Sequence, residues 1–151
     1  MKLNNKISVV TGAGQGMGRT MVQHFVELGS IVYAVDVNAE ALDETIQGLA
    51  GKAHAVVCDI TNEAAVTELM ATIEKEHGRL DILVNNAGIG SVDSFLETTL
   101  ETWQRVINVA SIAELSNGGT ANRAKTGSAA VMPSASCSGT VCVETGDPRV
   151  R

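Results

Sequence analysis

Between a short β-branched run and an amphipathic helical stretch, residues 11–18 read Thr-Gly-Ala-Gly-Gln-Gly-Met-Gly. Nothing else in the 151-residue chain narrows its choice of fold as much. A turn with so few β-carbons lets main-chain N–H groups approach an anion, and the helix behind it points its positive end the same way. The flanks give the pattern its weight. Ile7–Thr11 is apolar, rich in valine and bounded at once by glycine, as a buried strand should be. Apolar side chains then recur at 17, 21, 22, 25, 26 and 28, a helical stripe that Gly29 ends. A tight turn with no ligand is the competing reading of the glycines.

The alternation continues. Residues 31–35 form a second β-branched run, and 39–50 read as a helix capped by Asn38. Ala53–Val57 is a third strand. Thr61 can cap the next helix, whose apolar positions 66, 69, 70 and 73 keep helical spacing until Gly78. Ile82–Val84 is a fourth strand, and Thr98-Thr99-Leu100-Glu101 matches a capping box opening a helix through Trp103. Strand and helix taking turns, with no hairpin signal, predict an α/β fold of parallel strands joined by right-handed crossovers. Strands apolar at nearly every position predict a sheet buried on both faces. Asp36 falls 18 residues after Gly18, at the end of the second strand. There a carboxylate can hydrogen-bond an adenosine ribose, typically about 20 residues beyond a phosphate-binding glycine loop. It would also repel a 2′-phosphate, and Val37 and Gln15 supply no compensating cation, so NAD is expected over NADP. A turn or helix-capping aspartate is the alternative for Asp36.

Bulk composition removes other classes. The net charge is −6, with 17 acidic against 11 basic residues, so no basic surface is expected for nucleic acid. No apolar run reaches membrane-spanning length, and the N-terminus lacks a signal-type apolar stretch. Three cysteines cannot all pair, their spacing is not a zinc pattern, and the three histidines are scattered. A reduced, cytoplasmic protein without a bound metal is the expectation.

In order along the chain, four motifs resemble those of the short-chain dehydrogenase/reductase family. They are the glycine loop at 11–18, Cys58-Asp59-Ile60, Asn85-Asn86-Ala87-Gly88, and the stretch from Thr102 to Val109 around Trp103. The resemblance covers residues 1–109. It implies a Rossmann-like sheet of order 3-2-1-4 with helices on both faces, and NAD lying across the carboxyl edges of the strands. It further implies cofactor contacts from Gly12, Gln15, Gly16, Met17, Gly18, Asp36, Val37, Asp59, Ile60, Asn86, Ala87 and Gly88. Asp59 would hold the adenine amino group, and the Asn-Asn-Ala-Gly motif would line the nicotinamide side. An S-adenosylmethionine methyltransferase shares the glycine loop and the acid, but not the other two motifs.

The family's catalytic half is not matched. Its chemistry uses an Asn, a Ser and a Tyr-x-x-x-Lys pair, the lysine acidifying a phenol whose ordinary pKa of about 10 would make it a poor base. The single tyrosine is Tyr33, inside the second strand, with no lysine following at that spacing. The catalytic Asn would stand seven residues after Trp103, where this chain has Ala110. Ser111 is the only echo of the catalytic serine, and Ala124 stands where the tyrosine would follow. Residues 110–151 turn small and polar, hold both prolines and no aromatic residue, and suggest a deletion, frameshift or alternative splice in a family gene. The expected division is a Rossmann-like portion at 1–109 and a divergent tail at 110–151. Either 106–112 or 140–144 is expected to pair beside the fourth strand as a further edge strand. Two functions follow: an oxidoreductase weak or inactive alone, or a non-catalytic NAD-binding isoform working through another subunit. Any homo-oligomer would use non-standard contacts.

Overall fold

In the computed structural model, which describes residues 2–49, 51–89, 98–109 and 130–132, five parallel strands form one sheet. They are β1 (Ile7–Thr11), β2 (Ile31–Asp36), β3 (Ala53–Val57), β4 (Ile82–Val84) and β5 (Ala130–Met132), in spatial order β3-β2-β1-β4-β5. The helices are α1 (Gly16–Glu27), α2 (Ala39–Ile46), α3 (Glu63–His77) and α4 (Leu100–Ile107). The expected order 3-2-1-4 is therefore present, extended by β5.

Alternation explains why these strands are apolar throughout. Val9, Tyr33, Val35 and Leu83 face one hydrophobic cluster with Val66, Leu69, Met70 and Ile73 of α3. Val10, Val32, Ala34 and Val84 face a second cluster with Val22 of α1 and Leu42 of α2. Successive side chains point to opposite faces, so a strand covered on both must be apolar at each position. β3 departs from this: as the outer strand it leaves His54, Ala55 and Val57 exposed.

Other expectations need correcting. α2 ends at Ile46, short of residue 50, because Gln47 leaves helical geometry and Gly48 takes φ +80°. Asn62, not Thr61, caps α3 by accepting from the Ala64 and Ala65 amides. Thr61 is occupied elsewhere, its hydroxyl donating to Asp59. Thr99, not Thr98, caps α4 by accepting from the Thr102 amide. Val106 and Ile107 belong to α4 rather than to a strand, and the segment beside β4 is Ala130–Met132. The proposed strand at 140–144 lies outside the described residues.

The amino end of the sheet is tied by a buried carboxylate. Asp81 accepts from the Ile7 amide (2.9 Å), Lys6 Nζ (2.8 Å) and Arg79 Nε (3.1 Å). Burial alone would raise its pKa, but the Ile7 amide, Lys6 and Arg79 outweigh that and hold it below the usual value. A depressed folded pKa gives stability that is present above the unfolded value of about 3.9 and is lost as pH falls through the folded one. Asp81→Asn should therefore cost about 2 kcal/mol at pH 7. Urea melts at pH 7 and pH 3 should show the wild-type advantage over the variant shrinking at the lower pH.

Candidate functional site

All five strands run the same way, so the loops following β1 to β4 gather along one edge. Register brings Thr11 beside Val35, Asp36 beside Val57 and Val10 beside Val84. The loops enclose a cleft of about 560 Å³, within the usual range for small-molecule sites.

Two glycines decide how the loops fit. Gly12 has φ +65°, and a β-carbon there would stand 2.8 Å from the Ala87 Cα. Only glycine combines that backbone with that approach. Gly18 lies in the first turn of α1, where a β-carbon would stand 2.0 Å from the Gly12 carbonyl oxygen. Side chains then stitch the first loop to the fourth. Thr11 Oγ1 accepts from the Asn86 and Ala87 amides, each at 3.1 Å, and donates to the Val84 carbonyl. Asn86 Nδ2 donates back to the Thr11 and Gly12 carbonyls at 3.0 and 3.2 Å.

The cleft's electrostatics come from a helix end and a carboxylate. Gln15 precedes α1 but makes no side-chain capping bond, and the first turn carries no acid. Its leading N–H groups are thus without side-chain partners and lie where Gln15, Gly16 and Met17 line the cleft. Across from them, Asp36 accepts from the Gly14 amide (2.9 Å) and the Asn38 amide (3.1 Å), one at each carboxylate oxygen. Asp59 takes the Thr61 amide and hydroxyl on Oδ1, at 2.9 and 2.7 Å. Neighbouring Cys58 is a buried free thiol, its pKa pushed up by burial and by the Asp59 charge.

Of the residues expected to hold a cofactor, Gly12, Gln15, Gly16, Met17, Asp36, Val37, Asp59, Ile60, Asn86, Ala87 and Gly88 all line this cleft. Gly18 does not, and its contribution is the close seating of α1 on the loop. Gly14, Val35, Asn38, Ala41, Cys58, Ile89 and Val109, which the expected set lacked, complete the lining. Val109 is brought there by the end of α4, and Ala41 by α2, contacts that no local pattern announces. Ser111 lies outside the described residues. No group of three His, Cys, Asp or Glu among the described residues could hold a metal ion, and no helix among them is long and apolar enough to cross a membrane.

Tyr33 stands apart from the cleft lining. Its phenol donates to Glu76 Oε2 and meets His77 Nε2 at 2.9 Å, with the His54 ring stacked 5.0 Å away. Burial, and then the Glu76 carboxylate, push its pKa well above the ordinary value. The native protein should accordingly show no tyrosinate absorbance as pH is raised to about 10, the ordinary phenol midpoint. Half-ionisation at that pH in the folded state, read at the tyrosinate band, would contradict this environment.

A parallel sheet with a glycine loop, a helix start and an acid gathered at its carboxyl edge defines a Rossmann-like fold. A family model described as short chain dehydrogenase matches residues 6–142, and the chain belongs to that family. The match thus runs past residue 109, where the recognised motifs stop. The chain is 39% identical over 110 residues to meso-2,3-butanediol dehydrogenase of Serratia marcescens, covering 72% of this chain and 44% of that protein. It is 35% identical over 112 residues to 3-oxoacyl-[acyl-carrier-protein] reductase FabG of Thermotoga maritima, covering 72% and 46%. Among solved structures, a short chain dehydrogenase from Mycobacterium smegmatis superposes with a TM-score of 0.73 at 37% identity, covering 80% of this chain and 52% of that one. The chain spans about half the length of the curated relatives it matches. Members of the family are generally oxidoreductases that use a nicotinamide cofactor, NAD or NADP.

Proposed function

We propose that the cleft binds NAD, and that the 151 residues form a dinucleotide-binding unit that does not itself complete the family's proton relay. One observation carries the first part: the uncapped N–H end of α1 and the Asp36 carboxylate border the same cleft. The amides of residues 15–17 suit a pyrophosphate. Asp36 keeps unused lone pairs after accepting from Gly14 and Asn38, which suits a ribose hydroxyl and repels a 2′-phosphate. Val37, Asp59 and Ile60 would hold the adenine, and Asn86, Ala87 and Gly88 the nicotinamide side. Bound there, the cofactor would take or give the hydride.

The second part rests on Tyr33. It is the only tyrosine in the chain, and it lies outside the cleft lining, buried against Glu76. A phenol so placed is out of hydrogen-bond reach of a substrate in the cleft and cannot relay its proton. The same observation favours the alternative: a non-catalytic NAD-binding isoform that works through another subunit. A homo-oligomer by non-standard contacts and a reducing cytoplasmic setting, which would keep Cys58 a free thiol, belong to the same proposal.

Calorimetric titration with NAD and NADP, run beside a hydride-transfer assay over assorted alcohols, tests both parts. NAD should bind more tightly than NADP, with nicotinamide reduction no faster than background. Tighter NADP binding refutes the Asp36 argument, and brisk turnover by the pure chain refutes the missing relay.

A further inference from the structure

We infer that Arg19 is a positioning residue for the cofactor loop, clamping Gly14 from the side opposite Asp36; this rests on the cofactor reading above only for its effect on binding. Arg19 lies in α1, one residue past Gly18, and does not line the cleft. Its guanidinium turns to the outer wall of the loop. Nη2 and Nε both donate to the Gly14 carbonyl, at 2.6 and 3.1 Å. Nε also reaches Thr45 Oγ1 at 3.1 Å, and Nη2 reaches Glu44 Oε2 at 3.0 Å.

Gly14 is therefore held through both of its polar groups. A carboxylate takes its N–H and a guanidinium takes its C=O. Such charge-assisted bonds are stronger than neutral ones. A residue without a side chain would otherwise be a free point of the loop. Thr45 makes the outer anchor rigid. It is fully buried in α2, accepts from Arg19, and its hydroxyl can donate to the Ala13 or Ala41 carbonyl. Glu44 adds a second, exposed hold on the same guanidinium. The amides of residues 15–17 follow directly on the clamped residue, so their aim into the cleft depends on it. An immobilised loop binds better because its ordering is not charged to the ligand. Lysine could supply the charge but not the fork that grips a carbonyl and a hydroxyl together.

The test uses amide hydrogen exchange by NMR on the free protein, followed by NAD titration, for the wild type, Arg19→Ala and Arg19→Lys. Exchange at the Gly14 amide should speed about tenfold in Arg19→Ala and less in Arg19→Lys, while the Val10 and Leu83 amides stay as they were. The NAD dissociation constant should rise about tenfold in Arg19→Ala, with partial recovery in Arg19→Lys. Unchanged exchange at Gly14 overturns the clamp, and so does an equal acceleration at all three amides, which would mark general destabilisation. Faster exchange at Gly14 with unchanged NAD affinity overturns the positioning role. A wild-type protein that takes up no NAD overturns the cofactor reading instead, and the exchange data still decide the clamp.

Discussion

Replacing Gly18 with alanine should destabilise the protein by about 2 kcal/mol or more and weaken NAD binding by at least about tenfold. The substitution looks harmless by propensity, since alanine in a helix is favoured over glycine by about 1 kcal/mol. The packing decides otherwise. A β-carbon at Gly18 would stand 2.0 Å from the Gly12 carbonyl oxygen and 2.7 Å from Asn86 Nδ2. Neither neighbour is free to retreat. The Gly12 carbonyl is held by Asn86 Nδ2, and Asn86 Nδ2 is also bonded to the Thr11 carbonyl. α1 must lift off the loop, carrying the start of the helix away from the cleft. Thermal melts and calorimetry should both register the loss. A Gly18→Ala protein as stable as the wild type with undiminished NAD affinity would show that this contact does not seat the helix.

Asp36→Ser should raise the NAD dissociation constant about tenfold to 150-fold and remove most of the preference over NADP. Hydrogen bonds to a charged group contribute about 1.5–3 kcal/mol, and about 1.4 kcal/mol is tenfold in affinity. The NADP effect has a separate cause, because a 2′-phosphate would no longer face a carboxylate. The variant should also lose stability by about 1 kcal/mol, since the Gly14 and Asn38 amides lose their acceptor. Parallel titrations with the two dinucleotides separate these effects. Retained discrimination against NADP would move the selectivity to another residue.

How far the sequence reveals this arrangement depends on range. β1, β2 and β4 were legible because both sheet faces are covered, which forces unbroken apolar runs such as Ile7–Thr11 between glycines. Most of the cleft lining was legible because loops at strand ends carry its motifs in fixed order. Helix caps were less so where two capable residues adjoin. Thr61 and Asn62 compete for one cap, as do Thr98 and Thr99, and three-dimensional partners choose between them: Thr61 is drawn to Asp59. β5 gave no warning, since Ala-Val-Met in a small-residue stretch looks less like a strand than Thr-Val-Cys-Val-Glu at 140–144. The Gly14 clamp was also hidden. Arg19 meets Thr45 and Glu44 only because α1 and α2 cover the same face of the sheet.

The most direct measurement of the central claim is an NMR titration of the uniformly labelled chain with NAD, following backbone amides. Binding in the cleft predicts the largest shifts at Gly14, Gly16, Met17, Val37, Asp59 and Ala87, with Asp81 and Tyr33 little changed. Shifts centred on the amino end of the sheet, or no saturable shift at millimolar NAD, would contradict it.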